Sequence, residues 1–109
     1  MELFHGTSLK VAMKLLRGEQ LRPWTPADYR IETAHEYGRT KDRTSIYAVV
    51  VVDQERGGFS PSITGYWDSD HHLPVPLEAV IRIEFYVKGG SHWEPAPRLE
   101  KVVVPSYAA

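Results

Sequence analysis

Glu2-Leu3-Phe4-His5-Gly6-Thr7-Ser8-Leu9-Lys10-Val11-Ala12-Met13-Lys14-Leu15-Leu16-Arg17-Gly18 is the stretch whose reading decides the fold. Residues 2–4 read as a short opening strand, ending at a His5-Gly6 turn. Ser8 is placed to cap a helix, its hydroxyl accepting from free amides of the first turn. Leu9, Ala12, Leu15 and Leu16, with Val11, recur at helical spacing and give that helix one apolar face. Gly18 comes just past the last periodic residue, where a left-handed C-terminal turn favours glycine. Strand, turn and capped helix are thus specified locally.

Working outward, Pro23 and Pro26 make 22–28 irregular. Ile31, Ala34 and Tyr37 share one side of a helix over 31–37, with Glu32 in its first turn. Ser45 to Asp53 carries the β-branched run Val49–Val52 and reads as a strand; because it does not alternate, both its faces should be covered. Gln54 to Pro76 is rich in Gly, Ser, Pro and Asp and reads as one long loop, mobile or functional. Glu78 to Val87 alternates well enough for a further strand, broken at Gly89-Gly90. Trp93 to Pro97 reads as another loop, and 99–104 as a last strand stopped by Pro105. The expectation is a single α+β domain over 1–109, with few helices and mostly antiparallel strands.

The chain has 109 residues, the size of one domain, with 42% apolar and 25% charged residues, the balance of a folded globule. No cysteine occurs, which excludes a disulfide framework, a thiolate zinc site and a cysteine nucleophile, and fits a reducing cytosol. The beginning Met1-Glu2-Leu3-Phe4-His5 is acidic and soon polar, unlike a signal peptide. The apolar run 46–52 is far too short to span a bilayer, so a soluble, cytoplasmic protein is expected. A formal net charge of −1 gives no general pull toward nucleic acid. Arg39, Lys41 and Arg43 lie close together and could form a local basic patch; the other reading is a solvated helix end.

The opening resembles that of the ADP-ribosyltransferases, in the branch that holds diphtheria toxin and the poly(ADP-ribose) polymerases. The residues that carry the resemblance are His5-Gly6-Thr7, Leu15-Leu16-Arg17-Gly18 and Leu21-Arg22-Pro23, about a fifth of the chain. The resemblance implies a split β-sandwich with one or two small helices, NAD as co-substrate, and His5, Gly6 and Thr7 at the NAD site. In such a site the N–H and C=O of Gly6 pair with the carboxamide of nicotinamide, because glycine lets a ligand come close to the backbone. The matching histidine contacts the ribose next to adenine. The alternative is that His5-Gly6 is only a tight turn and Thr7 or Ser8 only a cap. A valine at Gly6 is expected to block the carboxamide while the domain stays folded.

The resemblance also implies a tyrosine stacked on nicotinamide, whose ring is cationic in NAD. Tyr29, ahead of Ile31-Glu32-Thr33-Ala34-His35-Glu36-Tyr37, and Tyr37 itself are the candidates. Tyr47 could stand in for either, and for each of the three core packing is the other reading. It implies further a carboxylate at the start of a late strand, to stabilise positive charge on the ribose as nicotinamide departs. Glu100 is the first choice and Glu78 and Glu84 are the rivals, expected to face solvent if they only decorate their strand. Trp93, just ahead of that strand, is a candidate substrate contact or a local packing residue. Asp68, Asp70, His71 and His72 crowd together, but adjacent side chains rarely converge on one ion, and no metal is expected.

The function so implied is transfer of ADP-ribose from NAD to a macromolecular acceptor with release of nicotinamide. Protein is preferred over nucleic acid because of the overall charge, and a toxin, a phage-encoded modifier or a host-defence component are the settings such a small chain suggests. The alternatives are an RNA 2′-phosphotransferase, which shares the His-Gly-Thr opening, and a non-catalytic module that binds NAD or a partner.

Overall fold

The computed structural model describes residues 1–41 and 43–89 and the strand 92–95. The first strand, β1 (Glu2–Ser8), does not stop at His5-Gly6. It runs straight through the motif, because Leu3, His5 and Thr7 face the same side and continue the pairing with β3 (Ile46–Asp53) down to Ser8↔Tyr47. The expected turn is therefore the second half of a strand.

Helix α1 (Leu9–Leu16) follows at once, with the Val11 amide donating to Ser8 Oγ at 3.2 Å. It ends where Gly18 takes φ 90°, and the Gly18 and Glu19 amides close back on Leu15 and Lys14, each at 3.0 Å. Ala12 and Leu15 are its buried residues, as the helical spacing anticipates. Helix α2 (Ile31–Arg39) runs two residues beyond the expected end. It has no side-chain cap of its own; instead Arg30, at its cap position, is held to Asp28 by an ion pair of 3.0 Å.

Strand β3 is covered on both faces, and residues 47–52 have no exposed surface. The segment expected to be a long loop holds structure: α3 (Gln54–Gly57), capped by Asp53, then β4 (Ser60–Pro61) and β5 (Trp67–Asp68). These two-residue strands join β2 (Pro26–Ala27) in a small sheet of order β2-β5-β4. Their pairing is too short to leave an alternating pattern in the sequence, and Pro61 fits only because β4 is an edge.

A 3-10 turn (Leu77–Ala79) leads into β6 (Val80–Gly89). Trp93 lies in strand and not in loop: β7 (His92–Pro95) pairs back on β6, with Lys88↔Trp93 and Gly89↔His92. Gly89 therefore belongs to the ladder. Among the described residues β7 is the outer strand of a four-stranded antiparallel sheet, order β1-β3-β6-β7. The expected strand 99–104 lies outside the described residues.

The larger sheet has two distinct faces. On one, Leu3, Ala48, Val50, Val52, Ile83 and Phe85 pack with Ala12 and Leu15 of α1, with Leu21, Ala27, Phe59 and Val75, and with the edge of Trp67. On the other, Tyr47 and Val49 pack beneath Ala34 of α2 with Phe4, Ile31 and Tyr86. The domain is α+β, with two antiparallel sheets and few helices. Among the described residues no helix is long and apolar enough to cross a membrane.

Candidate active site

The site grows from the free edge of β1. Phe4 exchanges both backbone hydrogen bonds with Asp28, its N–H donating to Asp28 at 2.7 Å and its C=O accepting at 3.0 Å. In an antiparallel ladder the N–H and C=O of one residue point to the same side, and the sides alternate along the strand. Phe4 thus points away from β3, His5 toward it, and Gly6 away again. Beyond the single Phe4–Asp28 bridge the chain turns into α2, so among the described residues no strand pairs with Gly6 on that side, and its donor and acceptor face a slot. That slot is lined by Phe4, His5, Gly6, Pro26, Ala27, Asp28, Thr33, Ala34, Tyr37, Lys41 and Tyr66.

Glycine is needed at position 6 for a second reason. A Cβ there would fall inside contact distance of the Ala34 carbonyl and 2.8 Å from the Gly38 nitrogen, both backbone atoms of α2. Gly38 makes the reciprocal approach, its missing Cβ facing the Tyr47 ring. The expectation that a Gly6→Val domain stays folded is therefore overturned: the valine meets helix backbone, which has nowhere to go while α2 stays seated.

His5 donates from Nδ1 to the Pro26 carbonyl at 2.6 Å. A carbonyl oxygen only accepts, so Nδ1 carries the proton. Burial lowers the His5 pKa to about 4; the Pro26 bond opposes that shift and the nearby charges of Lys41 and Arg22 add to it. At neutral pH the ring is uncharged, and Nε2 is a bare acceptor.

Tyr37 and Tyr66 form the mouth of the slot, edge to face with ring centroids 6.0 Å apart. The Tyr37 hydroxyl is raised above its ordinary pKa, first by a hydrogen bond with Tyr66 and then by burial. The Lys41 ammonium sits 5.8 Å from the centre of the Tyr37 ring. In this closed arrangement the slot encloses about 40 Å³, room for roughly three waters. Asp28 lies in its wall. Burial pushes that carboxyl up, but hydrogen bonds from Thr33 and Arg30 and the Arg30 charge outweigh burial and hold it below the usual range. Its partners are the start of α2, so it fixes the helix against the slot.

His5 and Lys41 are shared with a second, wider cleft of about 540 Å³ on the α1 side. Thr7, Ser8, Lys10, Lys14, Glu19, Gln20, Arg22 and Thr25 are among its lining residues. Thr7 is buried in the wall of this cleft, Gly6 lines only the slot, and His5 is the member of the motif that lines both.

The other candidates fall elsewhere. Tyr29 is 57% exposed, under the Arg30 guanidinium, and does not line the slot. Tyr47 is wholly buried and hydrogen-bonded to His35 Nδ1 at 2.6 Å, so it cannot stand in for Tyr37. Glu78 is exposed on the 3-10 turn. Glu84 does not face solvent: it is buried beneath α2, accepting from Arg82 Nε at 2.7 Å and from the Tyr86 hydroxyl. Its even position on β6 puts it on the α2 face with Tyr86. Trp93 is in β7, and Glu100 lies outside the described residues.

Asp68 accepts from the Trp24 indole at 3.3 Å, Asp70 caps the His72 and Leu73 amides, and His71 packs on the Trp24 ring. Each of these three thus has a local structural use, and no cluster among the described residues could hold a metal ion.

Tyr66, Asp28 and Lys41 were missed as slot residues. No periodicity marks them: Tyr66 comes from the β4–β5 hairpin, 29 positions after Tyr37. Comparison of the chain with protein-family models, curated proteins and solved structures finds no match.

Proposed function

We propose that this chain is an NAD-dependent ADP-ribosyltransferase with the split β-sandwich of that family. The observation that carries the reading is the Gly6 donor–acceptor pair, turned off the free edge of β1 into a slot walled by Tyr37 and Tyr66. A carboxamide needs one donor and one acceptor side by side, and a flat ring needs aromatic walls. Neutral His5 supplies an acceptor for a ribose hydroxyl at the junction of slot and cleft, and Arg22 and Lys41 supply positive charge for a diphosphate. Entry of a nicotinamide-sized ring requires Tyr66 to swing away from Tyr37. Tyr66 sits in the short turn between β4 and β5, where its carbonyl accepts from the Ser62 amide at 2.8 Å, so the movement is a swing of the side chain and not of the hairpin.

In the reaction the bond between nicotinamide and the ribose breaks, and nicotinamide leaves with the bonding electrons. The acceptor's oxygen or nitrogen bonds to the ribose carbon and gives up its proton. We assign the carboxylate that stabilises the intervening positive charge, and takes that proton, to Glu100. Incubation with NAD labelled in its adenosine moiety tests the reading, with nicotinamide release measured in a single turnover. The wild type should release nicotinamide and Glu100→Gln should retain NAD binding while losing about a hundredfold in rate. Unchanged release in Glu100→Gln removes the carboxylate assignment. Binding without release in the wild type identifies a non-catalytic module.

A second reading, RNA 2′-phosphotransfer, is favoured by the cations grouped around His5: Lys10, Lys14, Arg22 and Lys41. It predicts removal of a 2′-phosphate from RNA together with nicotinamide release, which simple transfer to an unphosphorylated acceptor does not require.

A further inference from the structure

The wide cleft on the α1 side carries a charge opposite to that of the whole chain. Lys10, Lys14, Arg22 and Lys41 line it against one carboxylate, Glu19, in a protein whose formal net charge is −1. Glu19 is already drawn to Arg17, 3.4 Å away. Among the described residues none of the four cations has a carboxylate partner within ion-pair distance. Arg22 donates only to the Pro23 and Trp24 carbonyls, at 3.3 and 3.2 Å, and the Lys41 ammonium lies over the Tyr37 ring.

The cations are spread, not convergent. Lys10 and Lys14 stand four residues apart on α1, about 6 Å along its axis, and Arg22 and Lys41 come from other segments of the wall. The cleft of about 540 Å³ is far larger than one phosphate needs. Such a track suits a linear polyanion whose phosphates follow one another along a groove. Because His5 and Lys41 line both cavities, a strand in the cleft is delivered to the mouth of the slot.

We infer that the acceptor is single-stranded nucleic acid, laid along the Lys10–Lys14 wall of the cleft. The inference rests on the transferase reading and replaces the preference for a protein acceptor, which came from net charge alone. Net charge averages over the surface, whereas binding responds to the local field of a cleft.

The test is fluorescence anisotropy with end-labelled single-stranded DNA and RNA of about 16 nucleotides. Saturable binding is expected, weakening with salt at a log–log slope of about −2 to −3, as three or four phosphate contacts give. Lys10→Glu with Lys14→Glu should lower affinity at least tenfold and flatten the slope, while Lys10→Arg with Lys14→Arg should restore both. Circular dichroism of each variant establishes that it is folded. Binding that is salt-independent, unaffected by the glutamate pair, or equally competed by poly-glutamate overturns the inference. Labelled NAD keeps it separate from the transferase reading. Oligonucleotide binding without nicotinamide release leaves the surface standing and removes the enzyme. Nicotinamide release with label on protein and no oligonucleotide binding removes the surface and leaves the enzyme.

Discussion

His5 joins fold and chemistry in one side chain, and its titration makes that visible. Folded, the ring takes its proton at about 4; unfolded, near 6.5. Between these values the unfolded chain holds the extra proton, so stability rises with pH through that window and is lost as pH falls through it. The difference amounts to about 3 kcal/mol at full extent. His5→Gln keeps a hydrogen-bonding group and removes the titration. Urea unfolding from pH 4 to pH 7 should therefore show a wild-type minus variant difference that grows toward neutral pH; His35, also depressed first by burial, is common to both proteins and cancels. A flat difference would mean that the ring is not buried as described. The tyrosine pair gives the second residue-scale expectation. Tyr37→Ala and Tyr66→Ala should each weaken nicotinamide binding roughly tenfold, Phe at either position should retain most of it, and Tyr29→Ala should leave it unchanged. Equal loss from all three alanine variants sinks the slot.

At the scale of elements, the seating of α2 on the larger sheet depends on two close contacts made at glycines. Gly6 and Gly38 let backbone meet strand and ring at close range. Gly6→Ala is the smallest change that disturbs this, and it should cost about 3 kcal/mol or more, because the obstructing atoms are helix backbone and not a flexible side chain. An alanine variant of wild-type stability in urea shows that α2 can shift, and would reopen Gly6 as a purely ligand-facing position. Beneath the same helix, Glu84 is held by Arg82 and Tyr86. Glu84→Gln turns one acceptor into a donor that faces existing donors, so a loss of about 2 kcal/mol is expected. Glu78→Gln, exposed on the 3-10 turn, should shift the urea midpoint hardly at all. The pair separates a carboxylate buried on β6 from one exposed on the turn before it.

For the whole molecule, the two sheets share one apolar cluster. Ala27 from the small sheet, Phe59 and Val75 from the segments around it, and Val50, Ile83 and Phe85 from the large sheet belong to the same core. The small sheet has no interior of its own, so it should unfold together with the large one in one step. Tryptophan fluorescence of a Trp24→Phe, Trp93→Phe variant, which leaves Trp67 of the small sheet as the reporter, and far-ultraviolet circular dichroism should give coincident urea transitions. Leu15→Ala, in the same cluster, should move both together by about 2–4 kcal/mol. Separate midpoints would show that the β2-β5-β4 sheet opens by itself.

The local signals of the sequence were sufficient for what local physics controls. Ser8 and Gly18 bracket α1, the run Val49–Val52 announces a strand covered on both faces, and the spacing of Ile31, Ala34 and Tyr37 marks α2 to within two residues. Capping, periodicity and β-branching act over a few residues, so a reading of a few residues recovers them. The long-range decisions were not legible. A continued β1 required knowing that β3 would pair all the way to Ser8, and β2 exists only because its partners in β5 lie 40 to 42 positions away. Glu84 looked like an alternating surface residue, because the sequence does not tell which face of β6 a helix will cover. Tyr66 joined Tyr37, and Lys41 joined Lys10 and Lys14, only once the hairpin and the helices were folded over β1. Composition and pattern determined which elements form; the packing of α2 and the hairpin against one free strand edge decided which side chains meet there, because that proximity is set by contacts between segments and is encoded in no single one of them.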